Sequence, residues 1–338
     1  MTPAAVPKDG DNSPWIGFVD KLWQVHKFGG TSVADADCFC KAAKIVEEQL
    51  GIANENGGKD NETIKTVTGP SYSLAVVVSA MGGKPKVTDL LLDSVTAASR
   101  RDDAEVNRLL GLVIDKHKAC LQDLFGGSNG DSDRLSAIIE SDMGEIRDIL
   151  KTVSLMKWNA KRISELVSGY GEIWSSQILA KLLQNRSVER NKVIRNQSSS
   201  SLHETTETYH EFVYIDARRI ITIDEEAIQD GAVAWDVSSA KLQEVYKAEM
   251  SRLTATVKDE DSFERVLHLV ITGYVASNLH GVATTLQRDG SDYSAAIMGR
   301  LLKSNNVTIW TDVDGVLSAD PRRVPTAYAL PEVVSELS

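Results

Sequence analysis

The chain has 338 residues, a formal net charge of −11, 42% hydrophobic and 25% charged residues. It has no Lys/Arg cluster that would track a phosphate backbone, and no apolar run near the roughly 20 residues that span a bilayer. Nucleic acid and membrane are therefore excluded as expected partners. Three cysteines, Cys38, Cys40 and Cys120, lack zinc-ligand spacing and are too few for a disulfide framework, which points to a reducing compartment. No metal site built from the protein's own side chains is expected.

Residues 1–20 form a polar tail rich in Pro, Gly and Asp, expected to be disordered. Asp9, Asp11 and Asp20 with little positive charge match neither a signal nor a transit peptide. Trp23 to Phe28 reads as a buried strand that stops at Gly29-Gly30-Thr31-Ser32. A helix with Phe39, Ala43, Val46 and Leu50 on one side follows. Paired glycines let backbone amides approach a phosphate, and Lys27 on the strand supplies a compact positive charge. His26 alternates to the opposite face. Leu74 to Val78 is a second buried strand, ending in the small residues Ser79 to Gly83, and Leu91, Val95 and Ala98 open the next helix.

Phe125 to Asp133 reads as a loop. Leu135 to about Val167 has helical spacing with a break near Lys157-Trp158, and Glu172 is expected to start a further helix. About 187–210 is poor in hydrophobics and reads as a polar surface insertion before the strand Glu211 to Ile215. Leu267 to Thr272 is a strand leading towards Gln287-Arg288-Asp289-Gly290-Ser291-Asp292. A helix leaves that segment with Tyr293, Ile297 and Leu301 on one face. Backbone N–H groups at a helix start favour an anion, and Arg288 can grip a carboxylate or phosphate with two parallel hydrogen bonds. Val307 to Trp310 is a final strand, followed by Thr311-Asp312 and an Asp314-Gly315 turn and ending at Asp320-Pro321-Arg322. Strands alternating with helices argue for an α/β sandwich around a mainly parallel sheet, with ligands beyond the carboxyl ends of the strands.

The runs KFGGTS, QRDGSDYSAA and WTDVDGVLSADPR, in this order, resemble the aspartate kinases of the amino-acid kinase superfamily. Weaker matches are Ser79 to Gly83 with Lys86 to Asp89, and Gly169 to Ser175. The stretches 99–103 and 115–118 resemble most the kinase half of bifunctional aspartokinase–homoserine dehydrogenases. The resemblance implies a three-layer α/β/α sandwich of the carbamate kinase-like type over 21–338. It implies ATP with Mg²⁺, L-aspartate as acceptor, and 4-phospho-L-aspartate as product, the first step towards Lys, Thr, Met and Ile. Lys27 and Asp292 then serve the reacting centre. Arg288, Glu172, Ser79, Thr88 and Ser291 meet the acceptor. Lys27, Gly29, Gly30, Thr31, Thr311, Asp312, Gly315 and Arg322 meet the nucleotide.

Two alternatives to a helix-borne ligand residue stay open: Glu172 as a first-turn carboxylate, and Thr88 as a plain N-cap. Leu317 stands where the family has an aromatic residue. At Ser338 the family would continue into a further lysine-bearing segment and ACT domains, so a truncated kinase domain without a dehydrogenase half is expected. The competing readings are an inactive or regulatory fragment that keeps the fold, and a sibling kinase for another carboxylate. Cytoplasm or plastid fits the composition, and self-association stays open.

Overall fold

The computed structural model describes residues 22–52, 72–126, 130–156, 160–198, 208–224, 232–255, 264–286, 290–313 and 315–332. The expected tail at 1–20, Arg288 and Asp314 lie outside them. In chain order the strands are β1 (Leu22–Phe28), β2 (Tyr72–Val78), β3 (Thr208–Ile215), β4 (Thr222–Asp224), β5 (Ala232–Val233), β6 (Glu264–Thr272), β7 (Val275–Asn278), β8 (Ala283–Thr285) and β9 (Asn306–Trp310). The helices are α1 (Ala36–Gln49), α2 (Val87–Ser99), α3 (Asp103–Phe125), α4 (Asp131–Met156), α5 (Ala160–Ser198), α6 (Trp235–Thr254) and α7 (Gly290–Leu301).

Five strands form one sheet in the order β3-β6-β2-β1-β9, and every pairing in it is parallel. The period-2 alternation of strand side chains sends alternate residues to opposite faces. Phe28, Leu74, Val76, Val78 and Val270 enter one core with α1 to α5. Val25, Ala75, Val77, Leu269 and Ile271 enter a second core with α6 and α7. Both faces are thus covered by helices, as the continuous apolar run of β2 requires. A smaller sheet, β5-β4-β7-β8, belongs to the second core through Ile223, Val233 and Val275.

The structure corrects several sequence expectations. Residues 187–198, read as part of a polar insertion, continue α5 as helix, and 199–207 lie outside the described residues. Few hydrophobics are needed there because polar side chains anchor the helix. Ser187 Oγ donates to the His210 carbonyl, Gln184 Nε2 to the Phe212 carbonyl at 2.9 Å, and Arg190 to the Ile52 carbonyl at 2.7 Å. Arg186 pairs with Glu47 at 3.0 Å, and Ile194 is fully buried.

Glu172 does not begin a helix but lies well inside α5, so the first-turn alternative falls. Thr88 is not an N-cap, since Lys86 holds that position before α2. The loop read over 125–133 is shorter, because α3 runs to Phe125 and α4 starts at Asp131. On α7 the buried side is Ser294, Ala295, Ile297 and Met298, whereas Tyr293 faces outward.

Candidate active site

The carboxyl ends of β1, β2, β6 and β9 lie side by side in the sheet, and Lys27, Ser79, Ser291 and Asp292 gather there. Lys27 points to the α7 side of β1, because its neighbours His26 and Phe28 face Trp310 on the other side. Its buried ammonium stands 2.6 Å from Oδ1 of the half-exposed Asp292. His26 is structural. Trp310 Nε1–H donates to its Nδ1 at 3.1 Å, and burial pushes its pKa down to about 4.

Behind Lys27 the chain turns through Gly29 into a short 3-10 turn, Gly30–Val33. The Gly29 amide is committed to the Trp310 carbonyl at 3.2 Å. The Gly30 and Thr31 amides, by contrast, open the turn without intrahelical acceptors. The same bond brings Thr311, next after Trp310, beside this loop.

Gly30 and Gly82 are pressed together. The Gly82 amide donates to the Gly30 carbonyl at 2.8 Å. A Cβ on Gly82 would fall 2.5 Å from Gly30 C and O, and one on Gly30 would fall 2.9 Å from the Ala80 carbonyl oxygen. Both positions therefore require glycine for close approach rather than for backbone angle.

Ser79, at the end of β2, donates through its hydroxyl to Ser291 Oγ at 2.9 Å, which ties that strand end to the first turn of α7. Gly273 makes the approach feasible, since a Cβ there would lie 2.7 Å from Ser291 Cβ and 2.9 Å from the Val78 carbonyl oxygen. Ala80, the next residue after Ser79, lies against the turn of α5 that carries Glu172. Glu172 is buried, and its Oε2 has no partner among the described residues. Burial pushes its pKa up to about 8, against the smaller opposing effect of backbone amides. Gly171 permits this contact, because a Cβ there would lie 2.8 Å from Ala80 Cβ. Thr88 is half-buried in the first turn of α2.

The segment after β9 is less tightly held. Thr311 Oγ1 donates to Asp312 Oδ1 at 3.2 Å, and Gly315 adopts a positive φ of 137°. Leu317 bridges to Ala329. The described partner of Arg322, whose side chain is 89% exposed, is Asp320 at 3.0 Å. Arg322, like Thr88, Asp312 and Gly315, is joined to the Lys27 cluster by no described hydrogen bond or ion pair. Arg288 precedes Ser291 by three residues and lies outside the described residues.

Two residues at the site escaped the sequence reading. Tyr274 follows Gly273 with φ 67°, uncommon for a bulky residue and a conformation that concentrates at functional positions. Its amide donates to Ser294 Oγ at 2.9 Å, and a Cβ on Gly290 would lie 2.7 Å from its ring. Its sole sequence signal is a preceding glycine at a strand end. Lys116, on α3, donates to the carbonyls of Gly82 and Pro85, and nothing in local sequence connects it to a loop thirty residues earlier. Among the described residues no set of three His, Cys, Asp or Glu side chains is gathered to hold a metal, and no helix is long and apolar enough to cross a membrane.

Comparison with known proteins gives a consistent reading of this arrangement. Two bifunctional aspartokinase/homoserine dehydrogenases, both named as chloroplastic, align over most of the chain. Number 2 of Arabidopsis thaliana is 30% identical over 310 residues, 92% of this chain and 27% of that protein. Number 1 of Zea mays is 31% identical over 309 residues, 91% of this chain and 27% of that protein. The aspartokinase of Schizosaccharomyces pombe is 24% identical across 98% of this chain and 52% of its own length. The chain thus spans about a quarter to a half of these relatives. The fold matches E. coli aspartokinase III, solved with aspartate and ADP, at a TM-score of 0.61 and 21% identity, covering 91% of this chain and 53% of that one. The sequence profile described as "Amino acid kinase family" matches residues 23–336, and this chain belongs to that family.

Proposed function

We propose that the chain is the phosphotransferase portion of an aspartate kinase, moving the γ-phosphoryl of ATP to the β-carboxylate of L-aspartate to give 4-phospho-L-aspartate. The observation that carries this reading is the buried Glu172 carboxylate with an unpartnered oxygen, on the turn of α5 that packs against Ala80, the residue after Ser79. A buried carboxylate without a partner is costly, and the α-ammonium of an amino acid is the complement that would satisfy it. The names of the relatives, all aspartokinases, support the same acceptor.

The acceptor carboxylate is itself the nucleophile, so the reaction needs charge neutralisation and alignment rather than a strong base. Lys27 neutralises the transferring phosphoryl, and the Gly30 and Thr31 amides hold its oxygens. Arg288 grips a carboxylate of aspartate bidentately, Glu172 holds the ammonium, and Ser79, Ser291 and Thr88 offer hydroxyls to the acceptor. Asp292 fixes the direction of the Lys27 ammonium. Thr311, Asp312, Gly315 and Arg322 line the nucleotide side.

Mg²⁺ bound with ATP supplies charge neutralisation between the phosphates. It keeps several waters and needs only one or two protein carboxylates, which fits a half-exposed Asp292 beside Lys27. A reducing compartment, cytoplasm or plastid, fits the cysteine usage, and the chloroplastic names of the plant relatives lean towards the plastid.

A hydroxylamine-trapping assay with ATP, Mg²⁺ and a panel of amino acids tests the reading. Trapped hydroxamate with aspartate and not with glutamate or N-acetylglutamate is the expected result. Hydroxamate with another member of the panel would move the chain to a sibling kinase, and none with any would leave a non-catalytic role.

A further inference from the structure

We infer that Lys116 is a positioning residue for the phosphate loop, acting through Gly82 on Gly30; this rests on the kinase reading above. Lys116 sits on α3, outside the cluster of strand ends. Its ammonium donates to the Gly82 carbonyl and to the Pro85 carbonyl at 2.9 Å. It therefore holds two points of the connection between β2 and α2.

That connection carries Ser79 at one end and, beside it, Ala80, which lies against the turn of α5 that carries Glu172. Its Gly82 amide bonds the Gly30 carbonyl at 2.8 Å, and the Val87 amide bonds the Met81 carbonyl at 3.1 Å. With Gly30 and Gly82 in backbone-to-backbone contact, a displacement of one moves the other. A cation that fixes Gly82 fixes the peptide plane of Gly30 and, with it, the direction of the adjoining amide.

The grip has a rigid base. His117, the next residue, is fully buried, with its Nδ1 2.7 Å from the Val113 carbonyl oxygen and its ring edge-on to Trp174 at 5.1 Å. Helix α3 cannot roll without breaking that contact. Burial pushes the Lys116 pKa down, against the smaller opposing effects of Asp35 and Cys120; Asp35 itself caps α1 through the Cys38 amide at 2.9 Å. Gly83, beside the ammonium, is a glycine for its backbone angle, φ 80°, since a Cβ there would meet Nζ only at an ordinary contact distance of 3.4 Å.

The test compares wild type with Lys116→Met, Lys116→Gln and Lys118→Met. Lys118 is an exposed neighbour on α3 paired with Glu140 at 2.5 Å, and serves as control. Amide hydrogen exchange of peptides covering 29–33 and 79–87 is measured without ligand, and Mg·ADP affinity by calorimetry. For Lys116→Met the Gly82 amide should exchange at least several-fold faster, and Mg·ADP should bind about ten- to a hundred-fold more weakly, the usual range for a lost hydrogen bond to a charged group. Lys116→Gln, which keeps a neutral donor, should fall between, and Lys118→Met should match wild type. Unchanged exchange at 79–87 in Lys116→Met, or unchanged affinity despite faster exchange, overturns the inference. Wild type that binds no Mg·ADP retires the kinase reading instead, and the exchange rates then decide alone whether Lys116 holds the loop.

Discussion

Lys27 Nζ and Asp292 Oδ1, 265 positions apart in sequence, stand 2.6 Å from one another, joining the end of β1 to the first turn of α7. The pair fixes the direction of a buried ammonium while leaving its carboxylate half open. Lys27→Ala should lower turnover by a factor on the order of 10²–10³, the cost of one preorganised charge facing a developing anion. The melting temperature should change little, because Lys27 lies at a strand end and adds little to the core. Steady-state kinetics with a parallel melting curve checks both; near-normal turnover would remove Lys27 from the phosphate site.

Glu172 gives a prediction with a definite sign. Its folded pKa of about 8 lies above the ordinary carboxylate value, so between roughly pH 4.5 and 8 the folded state binds the extra proton. Stability therefore falls as pH rises through that window, by on the order of a few kcal/mol. Glu172→Gln should abolish that slope and melt higher than wild type at pH 9, while losing acceptor binding. In wild type an ammonium must displace the proton, so aspartate affinity should rise by up to tenfold per pH unit and level off near pH 8. Calorimetry across pH 6–9 reads this directly, and a flat profile would separate Glu172 from the ammonium.

Arg288→Lys should not behave as a conservative change, because an ammonium cannot make the bidentate contact of a guanidinium. A large rise in KM for aspartate with little change for ATP is expected. An effect confined to ATP would move Arg288 to the nucleotide side.

Two glycines with opposite surroundings provide a stability contrast. Gly82→Ala places a Cβ 2.5 Å from the Gly30 backbone and should cost about 1–3 kcal/mol, the range for overpacking, with loss of activity. Gly111, inside α3 with nothing within 4 Å of its virtual Cβ, should gain about 0.5–1 kcal/mol on replacement by alanine. Urea titrations of the two variants suffice, and a Gly82→Ala variant as stable as wild type would show that the Gly30–Gly82 approach yields to the added Cβ.

The sequence made the strand-glycine-helix unit around Lys27 legible because burial, glycine and charge coincide within a few residues. The same holds for Gly290 to Asp292. It misread Glu172 because Gly169 and Gly171 look like helix breakers, whereas each admits a close neighbour. A Cβ on Gly169 would lie 2.7 Å from Val275 Cγ1, and one on Gly171 2.8 Å from Ala80 Cβ. It misread 187–198 because buried hydrogen bonds from Ser187 and Arg190 stand in for hydrophobic periodicity. Lys116 stood in the matching stretch 115–118, but its role was not legible because its partners are backbone carbonyls, which no side-chain pattern records.

Trp310 stacks on both Phe28 and His26 while its carbonyl holds the Gly29 amide. An indole locked to the loop that would meet the phosphates is an optical sensor supplied by the protein. Trp23 and Trp174 are fully buried in the two cores and far less exposed to such a change. If nucleotide binds here, the fluorescence lost in Trp310→Phe should carry the response to it, and an unchanged response in that variant would place the reporter at another tryptophan.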